Sequence, residues 1–221
     1  MPARTLRLAH RGDWRHAPEN SIAAFTAALA IPACDGLEFD VRGSADGVPV
    51  VCHDATLVRT HGRADRVEDL SAAALGALGI PTLAQVLVTA GRRPFLDVEL
   101  KEDLGKVVVE LLAGARGPAL SSAVVSSFEV AALERIGHLA PAWPRWLNSH
   151  TLGSFEIETA VRLGCRGVAI QWRALDAKSV ALAHAADLEV ASYTVRRRAT
   201  FDRLARLGVV AVCVEAAALD G

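Results

Sequence analysis

Two carboxylates two residues apart, Glu38 and Asp40, stand in the apolar run Gly36-Leu37-Glu38-Phe39-Asp40-Val41. Strand side chains at i and i+2 share one face, so both acids project to the same side. An acid among Leu, Phe and Val is costly unless it is paired, protonated or bound to a metal. A second apolar run, Val48-Pro49-Val50-Val51-Cys52-His53, follows the segment Ser44-Ala45-Asp46-Gly47. Asp46-Gly47 signals a tight two-residue turn, whose central residues want positive φ. Folding the chain there sets Asp40 roughly opposite His53. Residues 36–54 therefore read as half of a metal site with an acid–base group beside it.

Other titratable groups gather at the ends of neighbouring strands. Leu6-Arg7-Leu8-Ala9 ends on His10-Arg11, and Pro94 to Leu100 carries Asp97 and Glu99 and runs into Lys101. Glu38, Asp40 and Glu99 form a set of hard oxygen ligands that suits Mg²⁺ or Ca²⁺. The competing reading makes them structural ion pairs with Arg11, Lys101 and Arg42. Of seven histidines, only His10 and His53 fall at strand ends beside these acids. An imidazole titrates near neutral pH and can move protons at either end of a substrate. Arg11 and Lys101 beside a metal suit a phosphate better than a neutral substrate.

These groups need a scaffold that brings strand ends together. Nine strands are legible, most of them separated by helices. A helix opens after Pro18-Glu19-Asn20-Ser21, with Asn20 or Ser21 as its cap and Ile22, Phe25 and Leu29 on one face. Residues 55–79 are polar and irregular, with one short helix near Ser71 to Leu75. Helices are expected over 81–90, 103–113, 129–136, 155–163, 177–186 and 200–207, between strands at 94–100, 123–126, 145–147, 167–171, 189–194 and 209–214. The link between the runs at 36–41 and 48–53 is too short for a parallel crossover, so it is a hairpin. Removing that antiparallel excursion leaves eight strands and the pattern of an α/β, (β/α)8 TIM barrel, whose active site lies at the C-terminal strand ends. An open doubly wound sheet is the alternative, but no GxGxxG follows the first strand.

The chain has 221 residues, 52% of them apolar, enough for one sizeable core and a single domain over 1–221. A net charge of −1 gives no argument for nucleic acid or an anionic membrane surface as partner, and neither is expected. The basic residues are 21 Arg and 3 Lys, which reads as compositional bias. No leader precedes the first strand and no run of 18 apolar residues occurs, so no membrane span and a cytoplasmic location are expected. The four scattered cysteines fit single thiols in a reducing compartment.

His10-Arg11-Gly12, Pro18-Glu19-Asn20-Ser21, Glu38-Phe39-Asp40-Val41, Asp46-Gly47, Val50-Val51-Cys52-His53-Asp54 and Glu99-Leu100-Lys101 stand in the order and spacing of the glycerophosphodiester phosphodiesterases. Arg59-Thr60-His61-Gly62 and Pro81-Thr82-Leu83 also resemble that family. The likeness is strong over Leu6 to Lys101 and looser beyond. It implies a metal-dependent barrel enzyme releasing glycerol 3-phosphate and an alcohol from a small phosphodiester. It further implies Glu38, Asp40 and Glu99 as ligands of Mg²⁺ or Ca²⁺, and His10 and His53 as general acid and base in an order left open. Arg11 and Lys101 would hold the phosphate, Glu19 would support the metal or His10, and Tyr193 would line the substrate site.

The sequence departs from the family at the later strand ends. Tyr193-Thr194-Val195-Arg196 replaces the frequent Trp-Thr-Val-Asn, Val214-Glu215-Ala216-Ala217 replaces Thr-Asp-x-Pro, and Gln85 stands where an acid is frequent. About 27 residues separate Asp54 from Thr82, fewer than in members that cap the glycerol. Two alternatives follow. One is hydrolase or lyase chemistry on another phosphodiester, such as a lysophospholipid or phosphorylated sugar. The other is a non-catalytic barrel that binds a phosphorylated ligand.

Overall fold

The computed structural model describes residues 4–221; residues 1–3, on which the leader reading partly rests, lie outside them. Eight parallel strands close into a ring. They are β1 (Leu6–His10), β2 (Gly36–Gly43), β4 (Phe95–Leu100), β5 (Ala123–Ser127), β6 (Arg145–Ser149), β7 (Gly167–Gln171), β8 (Glu189–Val195) and β9 (Ala211–Val214). The order β1-β9-β8-β7-β6-β5-β4-β2 is closed by pairing of β2 with β1. β3 (Pro49–Val51) pairs antiparallel with β2 outside the ring. The barrel with its hairpin excursion is thus the fold.

Strand alternation builds two cores. Outward residues Leu37, Phe39, Val41, Leu96, Val98 and Leu100 are sealed by the surrounding helices. Inward residues Leu8, Val124, Trp146, Ala169, Ala191 and Ala211 plug the barrel, with Trp146 stacked on Phe95 at 6.0 Å between ring centroids. Above this plug the inward positions turn polar, which places the acids at the C-terminal rim.

The hairpin differs from expectation in its turn. Ser44 N–H donates to Val48 O and Gly47 N–H to Ser44 O, so the loop is Ala45-Asp46-Gly47, and only Gly47 has positive φ (73°). A turn followed by one left-handed residue is the usual three-residue solution. The Asp46 carboxylate is occupied by the Ser44 hydroxyl and by Ala72 N–H. Asp40 lies opposite Cys52, whose N–H reaches Asp40 O at 3.0 Å. His53 lies past the end of β3, so contacts rather than strand alternation aim it. One is Arg42 Nε donating to His53 O at 2.9 Å.

Helix α1 (Ile22–Leu29) is capped by Ser21, whose hydroxyl accepts from Ala24 N–H. Residues 55–79 hold two short helices, α2 (Val58–His61) and α3 (Ala72–Ala77). The first was not foreseen because four residues are too few to show a helical period. α4 (Leu83–Ala90) starts on Thr82 in a capping box with Gln85. The remaining helices are α5 (Gly105–Arg116), α6 (Val130–Leu139), α7 (Ser154–Arg162), α8 (Ala177–Ala185) and α9 (Arg198–Arg206). Each joins consecutive strands of the ring.

The loop after β1 turns through Arg11 (φ 59°) and Gly12 (φ 81°). A Cβ on Gly12 would lie 2.7 Å from the Ala24 carbonyl carbon, so α1 packs directly on this glycine. Gly12→Ala combines a left-handed backbone with a clash against helix backbone. It is expected to lower unfolding free energy by about 2–4 kcal/mol. Denaturant titration reads this directly; a loss below about 1 kcal/mol would contradict the close approach.

Candidate active site

β2 and β4 pair with Glu38 opposite Asp97 and Asp40 opposite Glu99. Four inward acids therefore stack in two rows. Glu38, Asp40 and Glu99 each offer a carboxylate oxygen, and these lie within 4.8 Å of one another. All three side chains are buried. Asp40 is the most heavily partnered: Lys101 Nζ lies 2.8 Å from Oδ1, Arg11 Nε 3.3 Å from Oδ2, and Asn20 Nδ2 donates to Oδ2 at 2.9 Å. Lys101 also bonds Glu99.

The charges are unevenly balanced. Burial acts to raise the Asp40 carboxyl, but Lys101 and Arg11 override it and hold it well below the usual carboxylate range. Glu38 feels only a weaker pull from Arg11; burial and then Asp40 and Glu99 push it well above that range. Burial and Asp40 also raise Glu99, against the pull of Lys101. Burial lifts Asp97 to about 7, although Ser126 donates to it at 2.6 Å. A buried set of hard oxygens that exceeds its two cations in charge fits a divalent ion.

The two imidazoles are held in the same way. His10 Nδ1 donates to Glu215 Oε1 at 2.6 Å, and Arg196 Nε donates to Glu215 Oε2 at 2.6 Å. His53 Nδ1 donates to Asp54 Oδ1 at 2.6 Å, and Arg59 Nε donates to Asp54 Oδ2 at 2.6 Å. His10 Nε2 is 3.8 Å from Glu38, beyond hydrogen-bond reach. Burial lowers the His53 pKa, against the pull of Asp40.

His10, Arg11, Glu38, His53, Glu99, Lys101 and Tyr193 line one cavity of about 510 Å³. Asp40 lies beneath it, joined through Arg11 and Lys101. Glu19 is outside this lining. It accepts from Arg11 at 2.9 Å and from both terminal nitrogens of Arg59. Tyr193 presents its ring, because its hydroxyl donates to Ser149 O at 2.7 Å. Phe128 and His150 pack on that ring, and Trp172 completes an aromatic wall facing the acids. Arg196 is not part of the lining; Glu215 occupies it.

Several residues gain a role that the sequence did not display. Asn20 seemed a helix cap, yet it holds Asp40; its positive φ (56°) is of a kind Asn tolerates. Asp54 and Glu215 are the partners of the two histidines, and Arg59 holds Asp54. Local spacing could have pointed to Asp54 and Arg59 only with α2 in view. Nothing in the sequence couples Glu215 to His10 before the barrel closes.

The sequence matches the glycerophosphoryl diester phosphodiesterase family over residues 10–219. A glycerophosphodiester phosphodiesterase of Caldanaerobacter subterraneus is 37% identical over 115 residues, 46% of this chain and 47% of that protein. That aligned stretch is thus about half the relative's length. The Bacillus subtilis protein YhdW is 29% identical across 91% of this chain and 90% of its own. A phosphodiesterase of Oleispira antarctica, solved in complex with the product sn-glycerol 3-phosphate, superposes with a TM-score of 0.80 at 26% identity. The match covers 96% of this chain and 93% of that one. The glycerophosphodiester phosphodiesterase of Thermotoga maritima gives 0.82 at 22% identity over 98% and 96% of the two chains and shares the fold.

Proposed function

The chain belongs to the glycerophosphoryl diester phosphodiesterase family, and we propose that it hydrolyses glycerophosphodiesters to glycerol 3-phosphate and an alcohol. The observation that carries this is the gathering at one cavity of the Glu38–Asp40–Glu99 cluster, with Asp40 beneath the lining, two cations and two carboxylate-backed imidazoles. Glu38, Asp40 and Glu99 would hold Mg²⁺ or Ca²⁺, which supplies Lewis-acid neutralisation of phosphoryl charge when bound.

The chain's own groups do the rest. Arg11 and Lys101 bind the non-bridging phosphoryl oxygens as charge-assisted donors. One histidine takes a proton at Nε2 from the nucleophile: a water, or the neighbouring glycerol hydroxyl, whose attack gives a cyclic phosphate that a water then opens to glycerol 3-phosphate. The other delivers a proton from Nε2 to the leaving oxygen as the P–O bond breaks. Two imidazoles within one cavity serve both ends of that displacement. Among the described residues no helix is long and apolar enough to cross a membrane, and the substrate in this reading is a small molecule.

The test is release of glycerol 3-phosphate from glycerophosphocholine and glycerophosphoethanolamine with Mg²⁺, Ca²⁺ or EDTA. Turnover with a divalent ion and its loss in EDTA is the expected result. No turnover under any metal overturns the proposal. The aromatic wall of Phe128, Tyr193 and Trp172 favours one second reading, the same chemistry on a lysophospholipid. A lysophospholipid included in the panel separates the two.

A further inference from the structure

Two of the sequence departures meet in space: Arg196 at the end of β8 and Glu215 just after β9 form one ion pair, and that pair backs His10. We propose that Arg196 and Glu215 are positioning residues for His10, acting as one unit that fixes its tautomer and aims Nε2 at the reacting phosphate. The proposal rests on the phosphodiesterase reading for its kinetic arm alone.

Three observations carry it. The geometry is tight on both sides, with Glu215 Oε1 at 2.6 Å from His10 Nδ1 and Glu215 Oε2 at 2.6 Å from Arg196 Nε. One carboxylate oxygen thus serves each partner, which leaves Glu215 little freedom to rotate. Glu215 is 6% exposed, whereas the Arg196 side chain is 69% exposed. The arginine therefore reaches in from the rim and has no pocket wall to build; orienting Glu215 is the contact it makes. Third, the same arrangement occurs at the other histidine, His53–Asp54–Arg59, again with Nδ1 to one carboxylate oxygen and an arginine Nε to the other. The second copy comes from residues adjacent in sequence, the first from three separate strand ends. Its assembly from unrelated segments points to a requirement of the imidazoles rather than of local chain geometry.

An acceptor on Nδ1 requires the proton to reside there and leaves Nε2 with its lone pair. Loss of such an acceptor permits the other tautomer and ring rotation, which in a histidine–carboxylate pair can cost several orders of magnitude in kcat. Glu215→Gln is therefore expected to lower kcat by about 100-fold, with KM within about threefold of wild type. Arg196→Ala, acting one step back, lowers kcat by about tenfold, and Arg196→Lys recovers most of that because an ammonium still reaches the carboxylate. In the Glu215→Gln background Arg196→Ala adds little further loss, since it works only through Glu215.

A readout free of turnover accompanies these rates. Long-range ¹H–¹⁵N correlation spectra of histidine-labelled protein, with His10 assigned from a His10→Gln variant, report which ring nitrogen bears the proton. Wild type should show His10 protonated at Nδ1. Glu215→Gln and Arg196→Ala should shift His10 towards tautomer exchange while His53 stays unchanged. Wild-type His10 in the Nε2–H form, or variants with unaltered spectra, overturn the proposal even if no phosphodiester is turned over. Additive losses in the double variant, or a rise in KM with kcat unchanged, overturn the paired action. An inactive wild type with the expected spectra would sink the phosphodiesterase reading and leave the positioning role supported.

Discussion

Glu38→Gln is expected to stabilise the metal-free protein while sharply lowering both turnover and the stabilisation conferred by Mg²⁺ or Ca²⁺. Glu38 is 3% exposed and, unlike Asp40, has no lysine at bonding distance. Burial and the neighbouring Asp40 and Glu99 oppose its ionised form. Gln keeps the shape and removes the cost of burying or neutralising a carboxylate there, a change worth about 1–2 kcal/mol and a rise in Tm of about 2–8 °C for a chain of this size. Wild type regains more than this on binding a divalent ion, about 2.7 kcal/mol at one hundred times Kd. The variant, with one ligand fewer, does not. Loss of Lewis-acid charge neutralisation, worth several kcal/mol in a transition state, lowers turnover on the order of 1,000-fold. Calorimetry in EDTA, Mg²⁺ and Ca²⁺ checks the first part and product release the second. A variant that is less stable in EDTA yet keeps the full metal-induced shift would refute this assignment of Glu38.

His10→Ala and His53→Ala are each expected to lower kcat on glycerophosphocholine by about 10²–10⁴-fold with the barrel intact. Neither imidazole belongs to the packed core. Their side chains are 15% and 35% exposed, and their carboxylate partners keep their arginines after truncation. The leaving group separates their roles. A p-nitrophenyl diester departs without protonation, so the histidine that serves as acid loses little on it. The histidine that serves as base loses on both substrates, because nucleophile activation is unchanged. Equal losses from both variants on both substrates would contradict a division into one acid and one base.

The barrel was legible because eight apolar strands alternate with helices of ordinary length, and one link too short for a crossover forces the hairpin. The acids were legible for the reason they are costly: Glu38, Asp40, Asp97 and Glu99 interrupt runs of Leu, Phe and Val. The partners of the histidines were harder to see. Asp54 and Arg59 depend on α2, which has four residues. Glu215 and Arg196 depend on closure of the ring between β9 and β1, a contact spanning nearly the whole chain. Asn20 was read from its place before a helix, whereas its positive φ turns its amide onto Asp40. The two-residue turn was expected because Asp46-Gly47 suits one, but Asp46 is held by Ser44 and Ala72 instead.

The acids also guard the alignment of the strands that carry them. On β2 and β4 the inward positions include Glu38, Asp40, Asp97 and Glu99, and the alternating outward ones are Leu37, Phe39, Val41, Leu96, Val98 and Leu100, each at most 1% exposed. A slip of either strand by one residue exchanges the two sets. It would drive carboxylates into the apolar seam between barrel and helices and turn Leu or Phe into the cavity. A pairing misaligned by one residue therefore meets an electrostatic penalty that the aligned one eases through Lys101, Arg11 and Asn20. Residues kept for chemistry act during folding as a proofreading key for the sheet.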